Sequence, residues 1–211
     1  MSYIIHTAKK DDGIILPKTE LTTLAQQLKV GDIIFIDVPA LPFQKISIAT
    51  ACWSNHVGIV TGVRDDEPVV SESRFPLSGA TTLSSFISRS KGNRIMAKRL
   101  NMPLSSDHEK NISAAAKQRT GILYDTGFNM HSKRQFCSRF VQEVLHDATG
   151  TTLGTVESLE TLFKKNPSIS LMFWRLWYFK GIPWKRLTIT PASLLNCKST
   201  CVVFNGTATT Q

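Results

Sequence analysis

The segment Ser54–Val60, SNHVGIV, places a histidine within a β-branched, apolar run that predicts a buried strand. Further along the chain, the segment Phe136–Val141, FCSRFV, places a cysteine where a polar loop gives way to helical periodicity. A cysteine at the N-terminus of a helix and a histidine on a neighbouring strand are the two groups that catalysis by a thiolate nucleophile requires. These two segments therefore decide both the predicted fold and the predicted site.

The length and composition predict one globular domain. The chain has 211 residues, enough to bury a substantial core, and 42% of them are apolar. We predict a single domain over residues 1–211, with its core at about residues 30–200. No stretch reaches the roughly 18 apolar residues of a membrane-spanning helix. The N-terminal sequence lacks the apolar core of a secretory signal, so we expect a cytoplasmic protein.

The net charge of +9 is spread along the chain rather than concentrated in one motif. Such a charge raises non-specific affinity for nucleic acid, anionic lipid and acidic substrates without selecting one of them. The sequence contains no helix-turn-helix, zinc-finger or RNA-binding motif, so we expect no specific nucleic-acid partner. An anionic membrane surface stays a candidate partner.

The four cysteines, Cys52, Cys137, Cys197 and Cys201, are too few and too irregularly spaced for a disulfide framework. In a reducing compartment all four are expected to be free thiols. Cys197 and Cys201 alone have a spacing that resembles a pair of metal ligands, and no second Cys/His pair accompanies them. We therefore predict neither a metal site nor an organic cofactor.

The hydrophobic periodicity predicts helices interspersed with antiparallel strands, which is an α+β fold. The predicted helices cover residues 20–28, 43–51, 82–87, 106–119, 137–150 and 190–195. The predicted strands cover residues 30–38, 54–60, 67–73, 95–100 and 201–204. Thr82, or Thr81 before it, and Thr190 are predicted helix caps.

Cys137 is the candidate nucleophile. At the start of a helix, unpaired backbone N–H groups and the positive end of the helix dipole stabilise a thiolate, which lowers the pKa of the thiol. The backbone N–H of Cys137 can also donate a hydrogen bond to an oxyanion. The alternative is that Cys137 is a small buried core residue, the usual role of a free cysteine.

His56 is the candidate base, although a lone strand histidine is more often structural. Strand alternation places Gly58 on the same face as His56, and the missing side chain leaves room there for a third group or for substrate.

Glu72 is the candidate third group, provided that the hairpin register brings it to that face. A three-residue loop over residues 64–66 would place Glu72 opposite Gly58, diagonal to His56, where it could orient the imidazole. A two-residue loop would turn Glu72 to the other face, where it would be a solvated glutamate. Asn55 and Ser73 are the other candidates to orient His56.

Tyr124 and Ser138 complete the candidate site, in which they would line the oxyanion or substrate pocket together with Gly58. The Tyr124 hydroxyl could donate to an oxyanion, or its ring could merely pack beneath the helix. The remaining histidines lie in polar or helix-terminal surroundings and are weaker candidate bases: His6, His108, His131 and His146.

A family resemblance rests on an ordered set of motifs over about residues 30–200. They are Gly31-Asp32-Ile33-Ile34, Asn55-His56-Val57-Gly58-Ile59-Val60, Glu72, Tyr124-Asp125 with Phe128, Phe136-Cys137-Ser138 and Thr190-Pro191 with Leu194-Leu195. Together they resemble the circularly permuted papain-like hydrolases of the NlpC superfamily, specifically the YaeF/YiiX-like amidase group. Lecithin-retinol acyltransferase looks like a more distant relative. The order His then Cys is the reverse of that in papain.

The resemblance implies a papain-like fold, in which an antiparallel sheet packs against helices and the nucleophile begins a helix. It further implies Cys137 as nucleophile, His56 as base, Glu72 as orienting acid, and a substrate that contains a peptide or amide bond. The residue after Cys-Ser is usually acidic in this group. Here it is Arg139, which reverses the charge within one turn of the nucleophile.

An aromatic and basic segment, residues 168–186, carries three of the four tryptophans. Tryptophan and tyrosine interleaved with arginine and lysine suit a membrane interface, but the favoured interpretation is that the segment folds over the core as one wall of the cleft. The first functional hypothesis is a cysteine amidase or peptidase. The alternatives are a lipid acyltransferase or thioesterase at a membrane surface, and a catalytically degenerate binding module.

Overall fold

A seven-stranded sheet forms the centre of the computed structural model, which describes residues 16–167 and 169–209. The strands of the described residues, including two outside this sheet, are β1 (Lys18–Glu20), β2 (Ile33–Ile36), β3 (His56–Arg64), β4 (Glu67–Glu72), β5 (Gly79–Thr82), β6 (Arg94–Leu100), β7 (Glu157–Ser158), β8 (Leu187–Thr188) and β9 (Thr200–Thr209). The order across the sheet is β1-β9-β6-β2-β3-β4-β5, and β7 pairs with β8 in a separate two-stranded ribbon. β1 runs parallel to β9, and the other neighbouring strands are antiparallel.

Helices cover both faces of this sheet. They are α1 (Leu21–Gln27), α2 (Leu41–Thr50), α3 (Leu83–Ile87), α4 (Ser106–Gln118), α5 (Cys137–Thr149), α6 (Leu159–Lys164), α7 (Met172–Trp177) and α8 (Pro191–Leu195). None of the helices in the described ranges has the length and apolar character needed to cross a membrane. The N-terminal stretch on which the prediction of a missing secretory signal rests lies outside those ranges.

The alternation of side chains along the central strands divides the core between the two faces. Ile33, Phe35, Val57 and Ile59 point to the face covered by α4, α5 and α8. Ile34, Ile36, Val60 and Val70 point to the opposite face, where Leu24 of α1 and Phe86 of α3 cover them. This arrangement of helices on an antiparallel sheet confirms the predicted α+β class.

A third apolar cluster lies away from the sheet. It joins α2, α6 and α7 through the buried side chains of Ile46, Leu162, Phe163 and Trp174. These short helices could not bury their apolar faces alone, and their mutual packing builds a separate wall beside the N-terminus of α5.

The β3–β4 hairpin has the predicted register at Glu72, but its loop is shorter than the prediction assumed. Its loop has two residues, Asp65 and Asp66, and not the three that the favourable register assumed, because Arg64 pairs with Glu67. Asp65 and Asp66 have positive φ angles, 52° and 60°, as a tight two-residue hairpin turn requires. An irregularity between Val60 and Gly62 then shifts the pairing by one residue, so that Ile59 pairs with Ser71. Glu72 is thereby returned to the position opposite Gly58.

Most predicted elements lie close to their predicted positions. Thr82 caps α3 through its side chain and Thr190 caps α8, while Gly150 ends α5 with a left-handed φ of 72°. The sequence analysis missed β1, β5, β7 and β8, which are two to four residues long and have no clear alternation.

Candidate active site

Cys137 is the first residue of α5, and Phe136 before it provides no side-chain cap. The first N–H groups of this helix therefore receive no cap from the preceding residue, and the sulfur lies beside them. The residue is 2% exposed and packs against the core beneath β2 and β3. Cys137 thus combines the helix-terminal position of a nucleophile with the burial of a core residue.

His56 is the first residue of β3, and it is buried. Its Nε2 lies 2.5 Å from Oε2 of Glu72. Its Nδ1 is also buried and has no oxygen or nitrogen partner in the part of the chain that the structure describes. Because Glu72 occupies Nε2, Nδ1 is the nitrogen available to the sulfur of Cys137, whose charge acts on the imidazole.

The rings of Phe43 and Phe86 hold the imidazole between them. Each ring centroid is 5.8 Å from that of His56; Phe43 meets it edge-on and Phe86 at a tilt. Aromatic contacts on two sides restrict rotation of the imidazole and keep Nδ1 and Nε2 aimed at their partners.

Glu72 ends β4 and is completely buried. Its Oε1 accepts a hydrogen bond from Nη2 of Arg89 at 2.6 Å, and Nε of Arg74 lies 3.9 Å from the same oxygen. Burial raises the pKa of this carboxyl, but the contacts with His56 and the charge of Arg89 outweigh it and lower the pKa overall. Glu72 is therefore an ionised carboxylate with both oxygens engaged.

The pKa values of His56 and Cys137 shift in opposite directions. Burial lowers the pKa of His56, but the charge of Cys137 and the contact with Glu72 raise it to about 9. Burial raises the pKa of the Cys137 thiol, yet the charge of His56 and the hydroxyl of Tyr124 lower it below its ordinary value. These shifts favour a thiolate–imidazolium pair at neutral pH, the reactive form of a cysteine nucleophile.

Tyr124 is buried with its hydroxyl directed at the sulfur, 4.0 Å from Sγ of Cys137. Burial and the neighbouring thiolate raise the pKa of this phenol well above its ordinary value, so it stays a proton donor. The ring also meets Phe128 edge-on, with centroids 6.4 Å apart. Tyr124 therefore lies beside the sulfur and packs on Phe128, while its role as a donor to an oxyanion stays a prediction.

Gly58 does not line a substrate pocket, and here the sequence-based expectation is wrong. A Cβ at this position would lie 2.6 Å from Cγ1 of Val70 and 2.9 Å from Cε2 of Phe86. The space beside the imidazole is therefore already filled. Gly58 allows Phe86 to approach the sheet closely and support His56.

Ser138 lies in the wall of the cavity beside Cys137, and its hydroxyl is already engaged. Its hydroxyl donates to the carbonyl oxygen of Ile189 at 2.8 Å, which ties the start of α5 to the segment before α8. Asn55 and Ser73, the other candidates to orient His56, have different partners. Asn55 bonds Val38 and Asp37, and Ser73 donates to the carbonyl of Gln135.

The competing histidines within the described ranges do not join the site. His108 takes part in the capping box at Ser105, and Nδ1 of His146 contacts the hydroxyl of Thr152. His131 lies in an exposed loop, and His6 lies outside the described residues.

A narrow cavity of about 30 Å³ with almost entirely apolar walls opens beside Cys137. α2, α6 and α7 supply much of its lining through Ile46, Leu162, Phe163 and Trp174. Tyr178 also lines the cavity, and its hydroxyl donates to the carbonyl of Gly127 at 3.3 Å. Part of the aromatic, basic segment therefore forms one wall of the cleft.

Sequence reasoning missed Arg89, Phe43 and Phe86. The only local signal for any of them was Gly58, whose missing side chain accommodates Phe86. Arg89 lies in a polar segment after α3, where nothing in the spacing marks a partner of Glu72.

The comparison with protein families decides the identity of the fold. The model of the permuted papain-like amidase enzymes of the YaeF/YiiX type, the C92 family, matches residues 27–204. This chain belongs to that family.

Two proteins from Escherichia coli are similar to this chain. The uncharacterized protein YiiX of strain K12 is 26% identical over 172 residues, which cover 82% of this chain and 84% of YiiX. The crystal structure of the metalloprotein YiiX from strain O157:H7 superposes with a TM-score of 0.76 at 24% identity, covering 86% of this chain and 99% of that one. The superposition with this crystal structure supports the same fold for this chain.

Arg139, the residue after Cys137-Ser138, pairs with Glu143 at 2.7 Å and donates to the carbonyl of Ser132 at 2.7 Å. Its charge therefore secures a neighbouring loop and is not directed into the cavity. Although the solved relative is a metalloprotein, residues 16–167 and 169–209 of this chain contain no group of three or more His, Cys, Asp or Glu side chains that could hold a metal ion.

Proposed function

We propose that this protein is a cysteine hydrolase that cleaves an amide or peptide bond through a Cys137–His56–Glu72 triad and an acyl-enzyme intermediate. The observation that carries the proposal is the position of His56, with one nitrogen on a buried carboxylate and the other available to the sulfur. The opposed pKa shifts of His56 and Cys137 support it, because they match the needs of a general base and a nucleophile.

In the first half of the reaction, the Cys137 thiolate attacks the carbonyl carbon and a C–S bond forms. In the proposed mechanism, the backbone N–H of Cys137 and the hydroxyl of Tyr124, which lies beside the sulfur, stabilise the oxyanion. The imidazolium of His56 then gives its proton to the leaving amine as the C–N bond breaks, which leaves a thioester and a neutral imidazole.

In the second half, neutral His56 takes a proton from water, and the resulting hydroxide attacks the thioester. Collapse of the tetrahedral intermediate releases the carboxylic acid and restores the thiolate. Glu72 keeps the imidazole in the orientation that both proton transfers need.

The apolar lining of the cavity favours a second candidate function that shares the first half of this reaction. Apolar walls favour an aliphatic acyl group over a polar one, and an ester or thioester would then be cleaved in place of an amide. Thioesterase or acyltransferase activity would use the same thioester at Cys137.

Intact-mass and peptide mass spectrometry during turnover of two probes, p-nitrophenyl butyrate and butyryl p-nitroanilide, tests the proposal. We expect a butyryl adduct on Cys137 in the wild type and in the Cys201→Ala control, and none in Cys137→Ala. Release of p-nitroaniline from the amide supports the amidase. Turnover of the ester alone supports the second candidate, and absence of acylation at Cys137 with both probes contradicts the hydrolase proposal.

A further inference from the structure

A row of large apolar side chains on and after α7 is exposed to solvent. Met172 and Leu176, four residues apart on one face of the helix, are 70% and 74% exposed, and Phe179 just beyond the helix is 93% exposed. We propose that these three residues, here called the α7 surface, dock the protein on an anionic lipid membrane.

The opposite side of the same segment is firmly attached to the protein. Trp174 is buried and packs on Phe163, with ring centroids 5.5 Å apart. Nε1 of Trp177 donates to the carbonyl of Thr126 at 2.8 Å. The α7 surface is therefore presented by a packed helix, so that contact with a membrane would not require the segment to unfold first.

The charges around the α7 surface complement an anionic bilayer. Residues 159–187 contain six lysines and arginines and one acidic residue, Glu160. Glu160 is already paired with Lys164 at 2.7 Å, and Lys165 is paired with Glu157. Arg175 and Lys180 flank the exposed apolar row along the chain, and Lys185 follows farther on, next to Trp184. Exposed apolar side chains among basic ones, without free carboxylates, are typical of proteins that bind the headgroup region of anionic lipids.

A shallow groove extends this surface. Ile169, Leu171 and Trp184 contribute apolar walls, and Lys164, Lys185 and Glu160, which is paired with Lys164, contribute charged ones. Tryptophan is enriched where apolar chains meet headgroups, because its ring is apolar and its N–H is polar. Apolar side chains of the groove would therefore contact lipid chains while its lysines contact phosphates.

Docking on this side would also bring the candidate active site close to the lipid. Trp174 and Tyr178, from the segment that carries the α7 surface, line the cavity beside Cys137. The proposal does not depend on catalysis, however, because none of the residues of the α7 surface contacts the triad.

Co-sedimentation of the full chain with vesicles of phosphatidylcholine, with and without phosphatidylserine, tests this proposal. We expect binding to the anionic vesicles, and an approximately tenfold lower partition coefficient for Leu176→Ser/Phe179→Ser, because two apolar side chains no longer enter the interface. The matched control is Val63→Ser/Val202→Ser, which removes two side chains that are 66% and 56% exposed elsewhere on the protein. Cys137→Ala should bind like the wild type even if the hydrolase proposal fails.

Charge variants separate docking at this surface from general attraction. Lys180→Ala/Lys185→Ala should weaken binding more than Lys117→Ala/Lys133→Ala, which removes the same charge from other exposed positions. Equal losses would mean that the net charge alone attracts the protein, and would overturn the proposal. So would a chain that stays in the supernatant. A change of oligomeric state in Leu176→Ser/Phe179→Ser, measured by sedimentation velocity with vesicle binding unchanged, would assign the surface to a second copy of the chain and equally overturn it.

Discussion

Arg89 holds the oxygen of Glu72 that His56 does not use. Nη2 of Arg89 lies 2.6 Å from Oε1 of Glu72, while Nε2 of His56 lies 2.5 Å from Oε2. The guanidinium also stacks over Phe86, 4.9 Å from the ring centroid, and Phe86 in turn packs against His56. Arg89 therefore acts on the imidazole along two routes, through the carboxylate and through the ring, and is a positioning residue for the candidate triad.

Replacing Arg89 tests this role. At a pH below the pKa of the Cys137 thiol, Arg89→Ala should slow its alkylation by about three- to tenfold, because a rise of half to one unit in that pKa lowers the thiolate fraction by that factor. Arg89→Lys should recover part of the loss, since it keeps the charge without the planar fork.

Arg74→Ala is the matched control for Arg89→Ala. Its guanidinium is 3.9 Å from the same oxygen and its side chain is 46% exposed, so its removal should change the alkylation rate little. Equal effects of the two variants would contradict a specific role for Arg89.

The pH dependence of hydrolysis should differ from that of alkylation. Both rates rise as Cys137 loses its proton, at a pH below the ordinary thiol range because its pKa is lowered. Hydrolysis should fall again above about pH 9, where the imidazolium of His56 loses the proton that the leaving amine needs. Alkylation should not fall there, because it requires only the thiolate. Parallel profiles measured on the same preparation would argue against His56 as the general acid.

The hydroxyl of Tyr124 should contribute to the rate more than to the fold. Tyr124→Phe removes a donor directed at the reacting sulfur, so we expect kcat to fall by roughly 10- to 1,000-fold with little change in KM. The melting temperature, measured alongside the kinetics, should stay close to that of the wild type. An unchanged kcat would leave Tyr124 as a packing residue.

Gly58 should tolerate no side chain. Gly58→Ala would press its Cβ against Val70 and Phe86, and we expect it to lower the free energy of unfolding by about 1–3 kcal/mol. Gly62→Ala on the same strand is the control, because a Cβ there meets nothing within 4 Å. Chemical denaturation measures both variants, and Phe86→Leu combined with Gly58→Ala should recover part of the loss. A cost as small as that of Gly62→Ala would show that Phe86 does not depend on the missing side chain.

The parts of this protein that sequence reasoning could predict are those with local causes. The position of Cys137 at a helix start and of His56 in a strand follow from residues within one turn or one strand of each. The caps at Thr82 and Thr190 are equally local. These features sufficed for the fold class and for the family resemblance.

The remaining features depend on contacts that the sequence does not reveal. The register of Glu72 results from a two-residue turn and an irregularity near Thr61. Each shifts the pairing by one residue, and because the two shifts are opposite, they cancel at Glu72. Arg89 reaches Glu72 across the β4–β5 segment and α3, and Ser138 is bound by the distant carbonyl of Ile189. The aromatic, basic segment proved to be neither wholly buried nor wholly exposed, since one side packs and the other faces solvent.

The pH dependence of iodoacetamide alkylation, mapped by peptide mass spectrometry in the wild type and in His56→Ala, tests the central claim most directly. Cys52 and Cys197 serve as internal references, because His56 acts on neither thiol. Burial raises the pKa of Cys52. Partial burial also raises the pKa of Cys197, but its contacts with Gly154 and Ser199 outweigh this effect and lower the pKa. The account predicts that Cys137 reacts well below pH 8 in the wild type and that His56→Ala alone removes this reactivity, with Cys52 and Cys197 unchanged. A Cys137 that titrates identically with and without His56 would contradict the catalytic pair.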